Sequence, residues 1–129
     1  MKNILIALLI VISCNIYGQK SESESNGTCS KGEQIAKFID SKSKQMFEND
    51  LQKKAIKLYL LGGMVSVVRE NDKPFEEKYK ITYHDFGCVV PANLDLYIAY
   101  NRLVFAHLES DFKDDWKNEV NKNALGLRK

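Results

Sequence analysis

The sequence predicts an α+β fold, in which a small sheet of two or three strands packs against an N-terminal helix and a C-terminal pair of helices. Two internal segments, residues 55–68 and 81–91, are dense in the β-branched and aromatic residues that favour strands. On either side of them, apolar residues recur at the spacing of an amphipathic helix. A chain of 129 residues is long enough for one core, so a single domain is expected.

Residues 1–18 have the layout of a secretory signal peptide. Lys2 gives a positive start, Ile4–Ile12 is an unbroken apolar run, and Gly18 offers a small residue for cleavage. The apolar run is too short to cross a bilayer, which takes about 20 residues. We therefore expect an exported protein, periplasmic or secreted, whose mature chain begins after Gly18.

A second processing route is open at Cys14. Residues 11–14 read Val-Ile-Ser-Cys, a degenerate form of the lipobox in which the cysteine becomes the lipidated first residue of a bacterial lipoprotein. Acyl chains on Cys14 would anchor the protein to the envelope, whereas cleavage after Gly18 would leave it free to diffuse. Contact with a membrane is expected only if Cys14 is lipidated.

Residues 19–33 are predicted to form a flexible linker, and residues 34–129 the single α+β domain. The linker is rich in Ser, Glu and Gly and has no large apolar residue to bury. The first helix is expected from Gly32 to about Glu48. Its apolar stripe, expected to lie in the core, consists of Ile35, Phe38, Ile39, Met46 and Phe47.

The arrangement of the sheet is predicted from the positions of glycines and from the alternation of side chains along the strands. Gly62 and Gly63 lie between two apolar runs and favour a β-hairpin, since primed turns need positive φ; one long strand kinked at the glycines is the alternative. The second strand segment is expected to end at Pro91. Its inward face at the cysteine end is expected to hold four alternate residues, Thr82, His84, Phe86 and Cys88.

Three further helices are expected. A short one spans about residues 74–80, with Phe75 and Tyr79 as its buried edge. A long one, residues 93–108, is apolar nearly all round, which indicates packing on more than one side. A last helix is expected where apolar residues recur every four positions before a glycine suited to end it, namely Trp116, Val120, Ala124 and Gly126.

The C-terminal region also carries a resemblance. Residues 100–127, YNRLVFAHLESDFKDDWKNEVNKNALGL, with GCVVP at 87–91, resemble the C-terminal half of small uncharacterised exported proteins of Bacteroidota. The similarity covers residues 75–127. In those proteins a glycine often follows the aromatic residue at the end of the helix, whereas this chain has Lys113 after Phe112. The resemblance implies packing and capping roles for the shared residues and implies no activity.

The charge balance argues against a nucleic-acid partner. The chain has 19 basic and 17 acidic residues, and removal of Lys2 with the signal would leave a formal charge of +1. Nucleic-acid binders mass basic residues on one face, whereas the lysines here alternate with acids and amides.

Export gives the cysteines a possible structural role. Removal of the signal leaves Cys29 and Cys88, and two cysteines in an oxidising compartment are a candidate disulfide. Such a bridge would tie the linker to the end of the second strand. The alternative is two free thiols, with Cys88 buried and Cys29 exposed.

The sharpest enzymatic hypothesis is a small thiol-dependent hydrolase that uses Cys88 and His107. A cysteine nucleophile needs an imidazole within hydrogen-bond reach. His84 does not fit that role, because four residues of strand separate it from Cys88 by about 13 Å. No metal site is predicted, since His107 with Asp111 is the only histidine–acid pair at helical i, i+4 spacing, and no cofactor is expected.

Four aromatic residues are candidates for a ligand-binding groove, with ordinary half-buried packing as the alternative: Tyr83, Tyr97, Tyr100 and Trp116. The function we expect from the sequence is a non-enzymatic, exported interaction or accessory domain. Its partner would be a protein or a small ligand. The thiol hydrolase and a lipoprotein anchored through Cys14 are the alternatives.

Overall fold

The computed structural model describes residues 30–127, which form an α+β domain, as predicted. The predicted signal, Cys14 and Cys29 lie outside the described residues. In chain order the elements are α1 (Lys31–Gln52), β1 (Lys57–Leu60), a short 3-10 helix (Glu70–Asp72), α2 (Lys73–Tyr79), β2 (Thr82–Asp85), α3 (Leu94–Phe112) and α4 (Trp116–Glu119).

The first helix is longer than the sequence pattern indicates. It begins at Lys31, inside the segment predicted as linker, because the Ser30 hydroxyl accepts a hydrogen bond from the Glu33 N–H at 3.4 Å and caps the helix. It continues to Gln52, four residues past the predicted end.

Only the second half of the predicted apolar stripe of α1 reaches the core. Met46 and Phe47 pack against it, whereas Ile35 and Phe38 are 52% and 69% exposed. The prediction that the whole stripe is buried is wrong. Twenty-two helical residues extend about 33 Å, while four-residue strands extend about 13 Å, so the helix is longer than the sheet beneath it.

The two strands pair in parallel, with Leu58 opposite Tyr83. The predicted hairpin at Gly62 and Gly63 is therefore wrong, and so is the single long kinked strand, because β1 ends before the glycines. Parallel strands need a crossover, and residues 61–81, which include α2, provide it. The two glycines lie in the loop that begins this crossover.

The strand β1 is the centre of the sheet. Leu58 and Leu60 are fully buried and Tyr59 is nearly so, which leaves neither face of β1 in water. On the edge away from β2, the Leu125 N–H donates to the Tyr59 carbonyl at 3.0 Å, and Ala124 forms an antiparallel bridge with Leu60. The C-terminal segment thus covers the edge that β1 would otherwise expose.

The strand β2 faces the core with the opposite set of residues from the predicted set. Ile81 and Tyr83 are buried, whereas Thr82 and His84 are exposed. Cys88 is also exposed and lies in a turn beyond the strand, so the predicted inward face is wrong.

The strand ends early because of a turn at its C-terminal end. Gly87 has a φ of +63°, and its N–H donates to the Asp85 carboxylate at 2.8 Å. This local turn takes the chain out of the sheet well before Pro91.

Helix α3 is the hub of the domain. It packs against α1 and against β1, which confirms the prediction of packing on more than one side. Its fully buried side chains include Tyr100, Asn101, Val104 and Leu108. The short helix α2 buries Phe75 and Tyr79, as predicted.

The last predicted helix is a single turn, Trp116–Glu119. Val120 and Ala124 are buried, but Val120 has an extended backbone with φ −65° and ψ 141° and is not helical. There the chain leaves the helix, and the segment that follows runs beside β1. Gly126 then turns with a φ of +76°.

Candidate functional site

The structure does not bring the proposed nucleophile and base together. Within the described residues, no hydrogen bond joins the Cys88 thiol to His107. Cys88 follows Phe86, whose ring lies 4.8 Å from that of Tyr97 on α3. His107 is ten residues further along the same helix, about 15 Å along its axis.

His107 has other neighbours. Its Nδ1 atom lies 3.7 Å from an Asp111 carboxylate oxygen, and its ring packs edge-on against the ring of Phe47 at 5.9 Å. These contacts give His107 a packing and surface-pairing role between α1 and α3. Among residues 30–127, no cluster of side chains has the composition of a metal site.

Cys88 is a free thiol within the described chain. Its predicted partner Cys29 lies outside the described residues, as does Cys14, so the disulfide and the lipid anchor stay predictions. The exposure of Cys88 leaves its sulfur accessible to a partner thiol. The alternative in which Cys88 is buried is wrong.

Two of the four candidate aromatic residues hold the core together through their hydroxyl groups. The Tyr83 hydroxyl accepts a hydrogen bond from the Asn121 N–H at 2.9 Å. The Tyr100 hydroxyl donates to Asp50 at 2.8 Å and accepts from the Lys57 N–H at 3.3 Å. Burial raises the pKa of Tyr83 and of Tyr100, so both stay protonated and neutral.

Tyr97 belongs to an aromatic cluster at the end of the sheet, which Tyr59 joins to Tyr100. Its ring lies 4.6 Å from that of Tyr59 and 4.8 Å from that of Phe86. Tyr59 in turn stacks on Phe86 at 5.5 Å. Tyr97 therefore packs the end of the sheet onto α3, and the four predicted aromatic residues do not line one groove.

Trp116 does line a groove, which lies between α3 and the C-terminal segment. This groove, here called the Trp116 groove, has a volume of about 880 Å³. That is within the range of about 300–1,000 Å³ found for small-molecule sites. Its lining residues are Arg102, Phe105, Ala106, Glu109, Trp116, Lys117, Lys122, Gly126 and Leu127.

The apolar part of the groove is built on two stacked rings. Phe105 and Trp116 lie with their centroids 5.4 Å apart and their planes at 7°. Trp116 is only 3% exposed, and its ring N–H has no acceptor within the described chain. Lys113, with a φ of +54°, reverses the chain after α3 and so brings the single turn of α4 back beside it.

The polar part of the groove is cationic. The Lys117 ammonium bonds to Glu109 at 3.2 Å and to Asp114, and the hydrogen bonds with Asp114 and Glu109 raise the pKa of Lys117. The Lys122 ammonium donates to the Lys117 carbonyl at 2.7 Å. The Arg102 side chain makes no hydrogen bond or ion pair with any residue in 30–127.

A second, smaller cavity lies beside Arg102. Its volume is about 350 Å³, and it is open between the N-terminal half of α1 and the start of α3. Ile35 and Ile39 line it together with two carboxylates, those of Asp40 and Asp95. Arg102 therefore lies at the boundary of two concave surfaces.

A carboxylate network at the end of β2 is structural. Burial opposes ionisation of Asp85, but hydrogen bonds from the N–H groups of Gly87 and Val67 and from the Ser66 hydroxyl outweigh that effect. The pKa of Asp85 is consequently below its usual value. All of these donors belong to the two loops that follow the strands, so Asp85 ties those loops together.

Sequence reasoning identified Trp116 and missed the rest of the groove. A signal was nevertheless present, because Arg102, Phe105, Ala106 and Glu109 fall at positions i, i+3, i+4 and i+7 of one helix face. What the sequence did not indicate is that this face of α3 meets the C-terminal segment. No helix in the described part of the chain has the length and apolar character needed to cross a bilayer.

Comparison of the chain with protein-family models, with curated proteins and with solved structures found no match.

Proposed function

We propose that this protein is an exported, non-catalytic binding domain and that the Trp116 groove receives its ligand. The observation that carries the proposal is a concave surface of about 880 Å³ that combines stacked aromatic rings with unneutralised cationic groups. Pockets with a mostly apolar lining and a few placed polar groups are the usual form of ligand sites.

The groove is supported by rigid parts of the domain. Phe105 projects from the long helix α3, and Trp116 is held by its stacking on Phe105. The wall that α3 forms keeps its geometry without a ligand, which lowers the ordering cost of binding. This favours reversible binding of a ligand that fits the existing shape.

A binding experiment tests the groove directly. Trp116 is the only tryptophan of the chain, so its fluorescence reports on this groove alone. We expect members of a panel of neutral, anionic and cationic small molecules to change that fluorescence in a saturable way. Ala106→Gln, which places a longer side chain in the groove, is expected to weaken this binding at least tenfold.

The matched control for that variant is Ala36→Gln, since Ala36 is also an exposed helical alanine but lies outside the Trp116 groove. It is expected to bind as the unmodified protein does. Saturable binding that Ala106→Gln leaves intact would contradict the assignment of the groove, and so would a panel that never perturbs Trp116.

The export half of the proposal rests on the sequence of residues 1–18. Mass spectrometry of the protein recovered from its native envelope or medium is expected to show an N-terminus at Gln19 or Lys20 without acyl groups. A chain that begins at an acylated Cys14 would instead establish the lipoprotein. Recovery of a chain that retains Met1 from the cytosol would contradict export altogether.

The proposed exported state also gives the cysteines a test. Thiol titration of the unreduced, denatured mature protein is expected to find no free sulfhydryl if Cys29 and Cys88 are bonded. Cys88→Ser would then expose one thiol, that of Cys29. Two titratable thiols in the unmodified protein would contradict the disulfide.

A further inference from the structure

We propose that the ligand of the Trp116 groove is a small molecule in which one carboxylate is attached to an apolar body. This inference rests on the proposed binding function and specifies its ligand class. It follows from which charged side chains of the groove already have partners within the protein and which do not.

The first step concerns the one carboxylate of the groove. Glu109 lies 3.2 Å from the Lys117 ammonium, which also bonds to Asp114. Glu109 therefore already has a cationic partner, and Lys117 is shared between Glu109 and Asp114, which leaves these three groups with a net charge of −1. The same contacts use the charge of Lys117, so that residue is not a free receptor for an anion.

Two cations remain. Within the described chain, the Arg102 side chain has no hydrogen-bond or ion-pair partner, and the Lys122 ammonium bonds only to a neutral backbone carbonyl at 2.7 Å. The guanidinium is planar and presents paired N–H donors that match the two oxygens of a carboxylate. Arg102 is thus the primary carboxylate receptor, and Lys122 adds positive charge to the same groove.

The apolar lining of the groove determines the second part of the ligand, which is its apolar body. Phe105 is half-buried over the deeper indole of Trp116, and Ala106 and Leu127 extend the apolar surface. Burial of an apolar body here removes these surfaces from water and contributes roughly 25 cal/mol per Å². A small polar anion alone would leave most of the groove in water.

The number of charges follows from the same inventory. A cationic ligand would be repelled by Arg102 and Lys122, and the one carboxylate that lines the groove, Glu109, is held by Lys117. Arg102 and Lys122 outweigh the net charge of −1 on Lys117, Glu109 and Asp114, and the remaining charge of +1 matches one carboxylate. The groove therefore selects a monoanion with an apolar body.

Decanoate, decanamide and decylamine form a direct test, since they share the same apolar chain and differ in charge. None of them absorbs where tryptophan is excited, so Trp116 fluorescence can be titrated with each below its micelle-forming concentration. Decanoate is expected to bind at least tenfold more tightly than decanamide, and decylamine more weakly still. Added salt is expected to weaken decanoate binding and to leave decanamide binding unchanged.

The variant Arg102→Gln identifies the receptor. It is expected to reduce decanoate affinity about tenfold and to leave decanamide affinity within about twofold. Lys42→Gln is the matched control, because Lys42 is an exposed lysine on α1 that does not line the groove. That variant is expected to preserve the preference for decanoate.

The outcomes separate this inference from the binding function beneath it. Equal groove binding of decanoate and decanamide, blocked by Ala106→Gln, would overturn the carboxylate and leave the binding function standing. A decanoate preference that survives Arg102→Gln would overturn Arg102 as its receptor. If no member of the panel or the decyl series perturbs Trp116, both proposals are overturned.

Discussion

Asn101 shows how much of this small domain depends on one polar side chain. It is fully buried on α3, where its amide oxygen accepts from the Tyr59 N–H at 3.0 Å. Its amide nitrogen donates to the carbonyls of Tyr59 at 2.8 Å and of Leu125 at 2.9 Å. A single side chain therefore joins the central helix to β1 and to the C-terminal segment.

Replacement of Asn101 by Ala is expected to lower the free energy of unfolding by about 2–4 kcal/mol, because it leaves buried backbone groups without partners. The measurement is equilibrium denaturation followed by circular dichroism. Asn93→Ala is the matched control, since Asn93 caps the same helix without a side-chain hydrogen bond and is expected to change stability by less than about 0.5 kcal/mol. Equal effects of the two variants would contradict the role of Asn101.

The Asp85 carboxyl makes the stability of the domain depend on pH. Its pKa is lowered from an ordinary value of 3.8 in the folded protein, so the unfolded chain binds the proton more readily. The stabilisation is present above about pH 4 and is lost as the pH falls through the lower folded pKa. Asp85→Asn is expected to flatten this acid limb of stability, while Asp40→Asn, an exposed acid on α1, is expected to keep it.

At the scale of elements, the crossover loop is fixed by a close approach between its glycine and β2. A Cβ atom on Gly62 would lie 2.8 Å from an Asp85 carboxylate oxygen, which is closer than real contacts allow. A Cβ atom on Gly63 would meet nothing within 4 Å. Of the two glycines that the sequence suggested as a hairpin turn, Gly62 is therefore required by packing and Gly63 is not.

This difference predicts unequal effects of the same substitution. Gly62→Ala is expected to destabilise the domain by about 1–3 kcal/mol, since the Asp85 network must shift. Gly63→Ala is expected to be nearly neutral, because the site is open and alanine lowers the entropy of the unfolded chain. Thermal unfolding of the pair measures this, and a larger loss for Gly63→Ala would contradict the observed loop.

At the scale of the whole molecule, buried phenols connect the layers of the fold. Tyr59, Tyr83 and Tyr100 all lie in the core, and burial is the main cause that raises the pKa of each, to about 12 for Tyr59. Two of them also carry the hydrogen bonds between helices, strands and the C-terminal segment. The stability of the domain therefore depends on these phenols staying protonated.

An alkaline limit of stability follows from the sign of these shifts. A raised folded pKa means that the stabilisation is fully present below the unfolded value of 10.0 and is lost as the pH rises toward the folded values. We expect cooperative unfolding above about pH 10, with tyrosinate absorbance and loss of circular dichroism in the same transition. Tyrosine ionisation complete near pH 10 in a domain that stays folded would contradict this prediction.

The sequence by itself determined the α+β class, the approximate positions of the helices and the burial of Phe75 and Tyr79. Those features depend on periodicity within a single helix or on residue type, and both can be read locally. The direction of β1 against β2, the buried face of β2 and the Trp116 groove were decided only by the tertiary structure. Each of these depends on which distant segment packs alongside, and the packing of the whole core decides that. Leu125 pairs with Tyr59 and covers the edge of the sheet, and the same C-terminal segment brings Lys122 into the groove that Arg102 lines.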